Sequence, residues 1–137
     1  MNQHTYLRAY MAGIVVPTIA LLLVATGFTI ARYVYNVPVP IERGIVFPMA
    51  VVPNLWGLWN IAFIASHRRT HLPIGLHGAL LPLILAPLGI LMTLLLDFTL
   101  PGFATHIFPV AAPVALIAYY LVWKYFVGGL NQILGVA

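Results

Sequence analysis

The sequence predicts an all-α fold, an integral membrane bundle of four spanning helices joined as antiparallel up-down hairpins. Three observations carry that expectation. Of 137 residues, 63% are hydrophobic and 6% charged, against roughly 25% charged in ordinary soluble domains. Mean hydropathy is +1.04. The few charged residues and histidines cut the chain into four apolar stretches, each near the roughly 20 residues that a helix needs to cross a 30 Å hydrocarbon core. So few polar groups cannot cover a water-facing surface, which excludes soluble enzymes, nucleic-acid-binding domains and disordered chains. Strands fail too. The stretches lack polar/apolar alternation, and four strands cannot close a barrel. The expectation is one transmembrane domain over residues 1–137.

The elements follow in order. Arg8 precedes the uncharged run Ala9–Ala31, closed by Arg32. A secretory apolar region is about 7–15 residues long, so this longer run reads as a retained helix over 9–33. Tyr33–Ile41 carries Pro38 and Pro40, and Glu42 follows in the first turn of a second helix expected over 41–66. A carboxylate suits that end of a helix dipole. The segment "HRRTH" (His67–His71) makes a basic loop, and Pro73 opens a third helix over 72–98. "DFTLPG" (Asp97–Gly102) leads to a fourth over 103–126, with Lys124 as its closing charge. Gly stands four residues before Pro at Gly13/Pro17, Gly44/Pro48 and Gly78/Pro82. A proline ring clashes with the carbonyl four residues back, and Gly there lets the backbone yield, so Pro-kinked helices are expected.

Cations fix the expected orientation. With the N-terminus inside, Arg8, Arg68, Arg69 and Lys124 are cytoplasmic, while Arg32, Arg43 and both acids, Glu42 and Asp97, lie outside. The positive-inside rule then gives both termini cytoplasmic in a multi-pass cell-membrane protein of bacterial inner-membrane type. Tyr6, Tyr10, Tyr119, Tyr120, Trp123 and Tyr125 at one boundary, and Tyr33, Tyr35, Phe98 and Phe103 at the other, suit aromatic belts. "AGIVVP" (Ala12–Pro17) resembles "HGALLP" (His77–Pro82), and "FPMAVVP" (Phe47–Pro53) resembles "FPVAAP" (Phe108–Pro113). The near-equal offsets suggest a tandem two-helix repeat about an axis along the membrane normal.

Small residues recur in steps of three and four. Gly13, Ala20 and Gly27 do so in the first helix, Gly57 marks the second, and Gly75, Ala79, Ala86 and Gly89 line the third. Lipid tails are as apolar as leucine, so helices associate by close backbone approach, which small residues permit. The expectation is one continuous packing seam with larger side chains facing lipid. No wide pore then fits inside one copy.

Polar groups inside lipid are the natural functional candidates. Asp97 is expected in a structural ion pair with Arg43 or Arg32. Asn54, Asn60 and Thr93 are the intramembrane polar residues, and Trp56, Trp59, Asn60 and Phe63 share one helical face by spacing. Asn60 is expected to hydrogen-bond across helices. His67, His71 and His77 form an H-x3-H-x5-H pattern. Imidazole can ligate metals or haem iron, which makes His67 and His71 weak metal candidates and His77 a weak cofactor candidate. No Cys supports such a set, so no cofactor is expected, and a basic loop touching anionic headgroups is the simpler reading. Ser66 has no nearby acid and no phosphate loop or paired carboxylates occur, so no enzyme is expected. The function expected is that of a non-catalytic scaffold or accessory subunit acting through helix packing in the bilayer. Its partner would be a second copy or another membrane protein, not nucleic acid. The alternatives are a transporter or channel with its path between subunits of a homo-oligomer, and a haem-, pigment- or quinone-binding subunit.

Overall fold

The computed structural model describes residues 4–44, 48–95 and 103–136, with backbone only at positions 43, 44 and 103–105. It is all-helical, with no strand among the described residues. Helix α1 spans Thr5–Tyr33 and α2 is the single turn Ile41–Gly44. Then come α3 (Val52–Thr70), α4 (Ile74–Ala79) and α5 (Leu81–Leu95). Helix α6 (Phe103–Val122) runs through a π-helical turn, Trp123–Val127, into α7 (Gly128–Ile133).

Three helical stretches are long and apolar enough to cross a membrane: Thr5–Tyr33, Ile74–Leu95 and His106–Ile133, with mean hydropathies of 2.3, 2.2 and 1.6. The second expected helix differs most from its forecast. Ile41–Gly44 is one turn, and the long helix starts only at Val52. Proline marks the start of α3: Pro53 occupies its first turn, where a missing N–H costs nothing. Helix α3 then ends beyond its forecast, carrying His67, Arg68 and Arg69 in its last turn. His71 stops it in a left-handed conformation (φ 50°), and its N–H closes on the His67 carbonyl at 3.0 Å. Leu72 precedes Pro73, a position that disfavours continued helix.

The third stretch is interrupted at Leu80, where α4 gives way to α5. Pro82 removes the bond to Gly78, and three-residue bonds replace the regular ladder: Leu80 N–H to His77 O at 3.3 Å and Leu83 N–H to Leu80 O at 3.1 Å. The expected Gly-x3-Pro break therefore falls here. At Pro17, by contrast, α1 continues to Tyr33. The last helix does not close at Lys124. It runs on to Ile133 through the π turn.

The helices pack unevenly. Helix α1 lies antiparallel along α3 in the most extensive contact, and α4 lies against the end of α6 and the π turn, whereas α5 touches α3 and α6 lightly. Among the described residues the buried side chains are Ala9, Ala12, Pro17, Trp56, Asn60, Phe63, His77, Leu81, Trp123, Val127 and Asn131. All belong to the half of the molecule where α1 begins, α3 ends, α4 begins and α6 ends. This is also the end that carries Arg8, Arg68 and Arg69. In the other half, Leu22, Leu23, Ile30, Leu94, Leu95, Val110 and Val114 are exposed.

The expected continuous seam is therefore half a seam. Gly13, Gly57 and Gly75 are buried, and Ala79 and Gly89 are half-buried. Ala20, Gly27 and Ala86 are exposed, and a Cβ on Gly27 would meet nothing within 4 Å. The physical reason is visible at the glycines that do pack. Tyr10 covers Gly57, Tyr120 covers Gly75, and Trp123 sits on Gly78. Small residues permit close approach, but a large ring must arrive to use it. Among the described residues none arrives at Gly27, and Ala20 and Ala86 are left exposed. At Gly13 backbone meets the backbone of another helix, since a Cβ there would fall 2.7 Å from the Trp56 carbonyl oxygen and 2.8 Å from the Gly57 Cα.

Candidate functional site

The polar interior is a clasp at the cation-bearing end. Asn60 in α3 and Asn131 in α7 are both fully buried. Their amides exchange two hydrogen bonds: Asn60 Nδ2 donates to Asn131 Oδ1 at 2.8 Å, and Asn131 Nδ2 donates to Asn60 Oδ1 at 3.0 Å. The second proton of Asn60 Nδ2 goes to the Ala9 carbonyl at 2.7 Å. One amide thus ties α3 to both α1 and α7. Unpaired, either amide would carry the full desolvation cost of a polar group in an apolar interior.

Asn131 reaches this place because of the π turn. In a regular α-helix, Trp123 and Asn131 would lie roughly 80° apart around the axis. The wider π turn takes up that excess. Trp123, Val127 and Asn131, at steps of four, are all fully buried on one face. A reading that ends the helix near Lys124 cannot find Asn131, and a 3.6-residue period does not align it. The available signal was a lone Asn in an apolar tail.

The second tie joins α3 to α4. His77 Nε2 lies 2.9 Å from the Trp59 carbonyl oxygen. A carbonyl only accepts, so the imidazole donates from Nε2 and Nδ1 keeps its lone pair. In return the Trp59 indole N–H donates to the His77 carbonyl at 2.8 Å. The two rings stack, with centroids 4.6 Å apart and planes 22° apart. Phe63 and Trp123 close around the imidazole at 5.3 and 6.0 Å. Trp56 continues the cluster, 5.4 Å from Trp123 and 5.1 Å from Tyr119. The indole N–H groups of Trp56 and Trp123 are buried without a hydrogen-bond partner. The face Trp56, Trp59, Asn60 and Phe63 thus forms the centre of the interior.

The other candidates fall elsewhere. His67 is exposed, with Nδ1 3.2 Å from the Leu72 carbonyl and its ring 4.8 Å from Phe63. His71 is exposed at the helix stop. The structure does not gather His67, His71 and His77 into one ligand set, and no group of three His, Cys, Asp or Glu able to hold a metal occurs among the described residues. Folding the loop as a helix stop separates them. Asn54 is exposed, donates to the Ala50 carbonyl at 2.6 Å and accepts the Tyr10 hydroxyl. Thr93 bonds within its own helix, to the Ile90 carbonyl at 2.7 Å.

The ion pair expected for Asp97 lies outside the described residues, as does the side chain of Arg43. Arg32 takes a different partner, Glu42 Oε1, at 2.7 Å. The chain turns between α1 and α2 through Asn36 (φ 54°), which returns Glu42 to the end of α1. The Glu42 backbone N–H and the Arg32 guanidinium hold that carboxyl below the usual carboxylate range. Below them, Leu21, Val24, Ala25, Phe28, Ile41, Pro48 and Met49 line an apolar groove of about 70 Å³.

The clasp brings together neutral donors and acceptors and no carboxylate. Its hydrogen bonds join α3 to α1, α7 and α4. No family model matches the chain, and neither does a curated protein or a solved structure.

Proposed function

We propose that this chain is a small polytopic membrane protein that acts through helix packing, as a non-catalytic scaffold or accessory subunit. On this reading all four long helical segments cross the bilayer, α3 inside the shelter of the others, with both termini at the cytoplasmic face. The observation that carries it is where the interior polar side chains go. Asn60, Asn131, Trp59 and His77 each bond a different helix. Such bonds are the usual adhesive between helices in lipid. The cations also support the orientation, because Arg8, Arg68 and Arg69 gather at one end and Arg32 with Glu42 at the other.

A second reading has one observation in its favour. Ala20 and Gly27, exposed on α1, leave small residues on a helix surface that a second copy could pack against, placing a path between subunits. Extraction from the native membrane in mild detergent, followed by mass measurement of the intact complex, separates the two. A stoichiometric assembly with another membrane protein supports the accessory role. A pure homo-oligomer that moves ions or solutes across reconstituted vesicles overturns it.

A further inference from the structure

We propose that Lys124, flanked by Tyr120 and Tyr125, holds the phosphate of an anionic phospholipid headgroup on the lipid-facing side of the last helix. The inference begins with depth. The bonds from Asn60 to Ala9 and to Asn131 put those three residues at one level along the bundle. Lys124 precedes Asn131 by two turns, which places it roughly 10 Å deeper into the bundle at 1.5 Å per residue. Arg8 lies beside Ala9, at the common level. Leu7, Met11, Phe126 and Ile133, large apolar side chains near that level or past Lys124 toward the same end, are exposed. Lipid must cover them, so the exposed Lys124 stands against acyl chains with its stem able to reach the headgroup layer.

A cation there needs an anion or must stretch to the interface. No carboxylate meets Lys124 among the described residues, since the described acid, Glu42, is bound to Arg32 at the opposite end. Its contacts are aromatic instead: Nζ stands 5.8 Å from the Tyr120 ring centroid and 5.2 Å from that of Tyr125. Tyr120 is held in place against Gly75 of α4. The two rings hold the ammonium at the surface, and their hydroxyls are donors to a phosphate oxygen beside it. The π turn matters again, because Lys124 and Tyr125 belong to it while its buried members, Trp123 and Val127, anchor it in the core.

The test compares thermal unfolding of the full chain in phosphatidylcholine vesicles and in an equimolar mixture with phosphatidylglycerol. The wild type should unfold at a higher temperature in the mixture. Lys124→Gln should lose most of that difference while matching the wild type in phosphatidylcholine, and Lys124→Arg should keep it. Arg68→Gln combined with Arg69→Gln, which removes two surface cations, should keep most of it. No phosphatidylglycerol preference in the wild type would overturn the proposal. So would a preference that disappears with Arg68 and Arg69 yet survives Lys124→Gln, which would mark a diffuse surface attraction. Glycerol phosphate added to phosphatidylcholine vesicles should give no shift, and a shift would assign the site to a free anion rather than a lipid.

Discussion

Single side chains decide most at the amide pair. Asn60→Leu or Asn131→Leu leaves the opposite amide buried without its partner, at a cost of about 1–2 kcal/mol. The double Leu variant should cost less than the two single changes added together, because it removes both polar groups at once. Strict additivity in detergent unfolding experiments would mean the two amides do not bond. The Arg32–Glu42 bridge makes a different prediction. Glu42 binds its proton less readily in the fold than in the unfolded chain, so its contribution is present above the unfolded value and disappears as pH falls through the lowered folded value. Glu42→Gln should therefore lower stability slightly at neutral pH, converge with the wild type as pH falls through the lowered folded value, and so flatten the acid limb of the profile. Asn60 was legible from its spacing with Trp56 and Phe63. Asn131 was not, because its placement depends on a turn that breaks the period such readings assume.

Between elements, the glycines divide into those that receive something and those that do not. Gly13→Ala would push a methyl group into the Trp56 carbonyl and the α3 backbone, for a loss of about 1–3 kcal/mol. Gly27→Ala meets open space, and it replaces a poor helix former with a good one, so it should be neutral or slightly stabilising. Melting temperatures of the two variants in one detergent check the contrast. Equal losses would mean that the outer half packs as tightly as the inner. Helix existence was legible from the apolar runs, and the break at Leu80 from the Gly78/Pro82 spacing. The extent of the seam was not, because a small side chain records permission to approach and nothing about what approaches. The late start of α3 was hidden in the same way, since Pro48 and Pro53 sit inside a run whose hydropathy alone reads as continuous.

In the whole molecule, topology and the contrast between the two ends are open to a direct labelling experiment. Cysteine is absent, so single cysteines at His4, Tyr35 and Gly135 can be labelled from one side of a sealed vesicle without background. His4 and Gly135 should react from the same side and Tyr35 from the other. Any other pattern would remove α3 from the membrane or reverse a hairpin. The all-helical class and the gathering of Arg8, Arg68 and Arg69 at one end follow from composition and from the order of charges along the chain. The concentration of every interior polar bond at that same end does not, because it depends on which helices touch.

All three tryptophans of the chain, Trp56, Trp59 and Trp123, lie in the same aromatic cluster. Ultraviolet emission from this protein therefore reports on one region and is blind to the rest. If the lightly held helices separate first on heating, far-ultraviolet dichroism will begin to change while the indole spectrum stays constant, and the two melting curves will part company. Following indole light alone would record a single sharp transition and miss the earlier loosening.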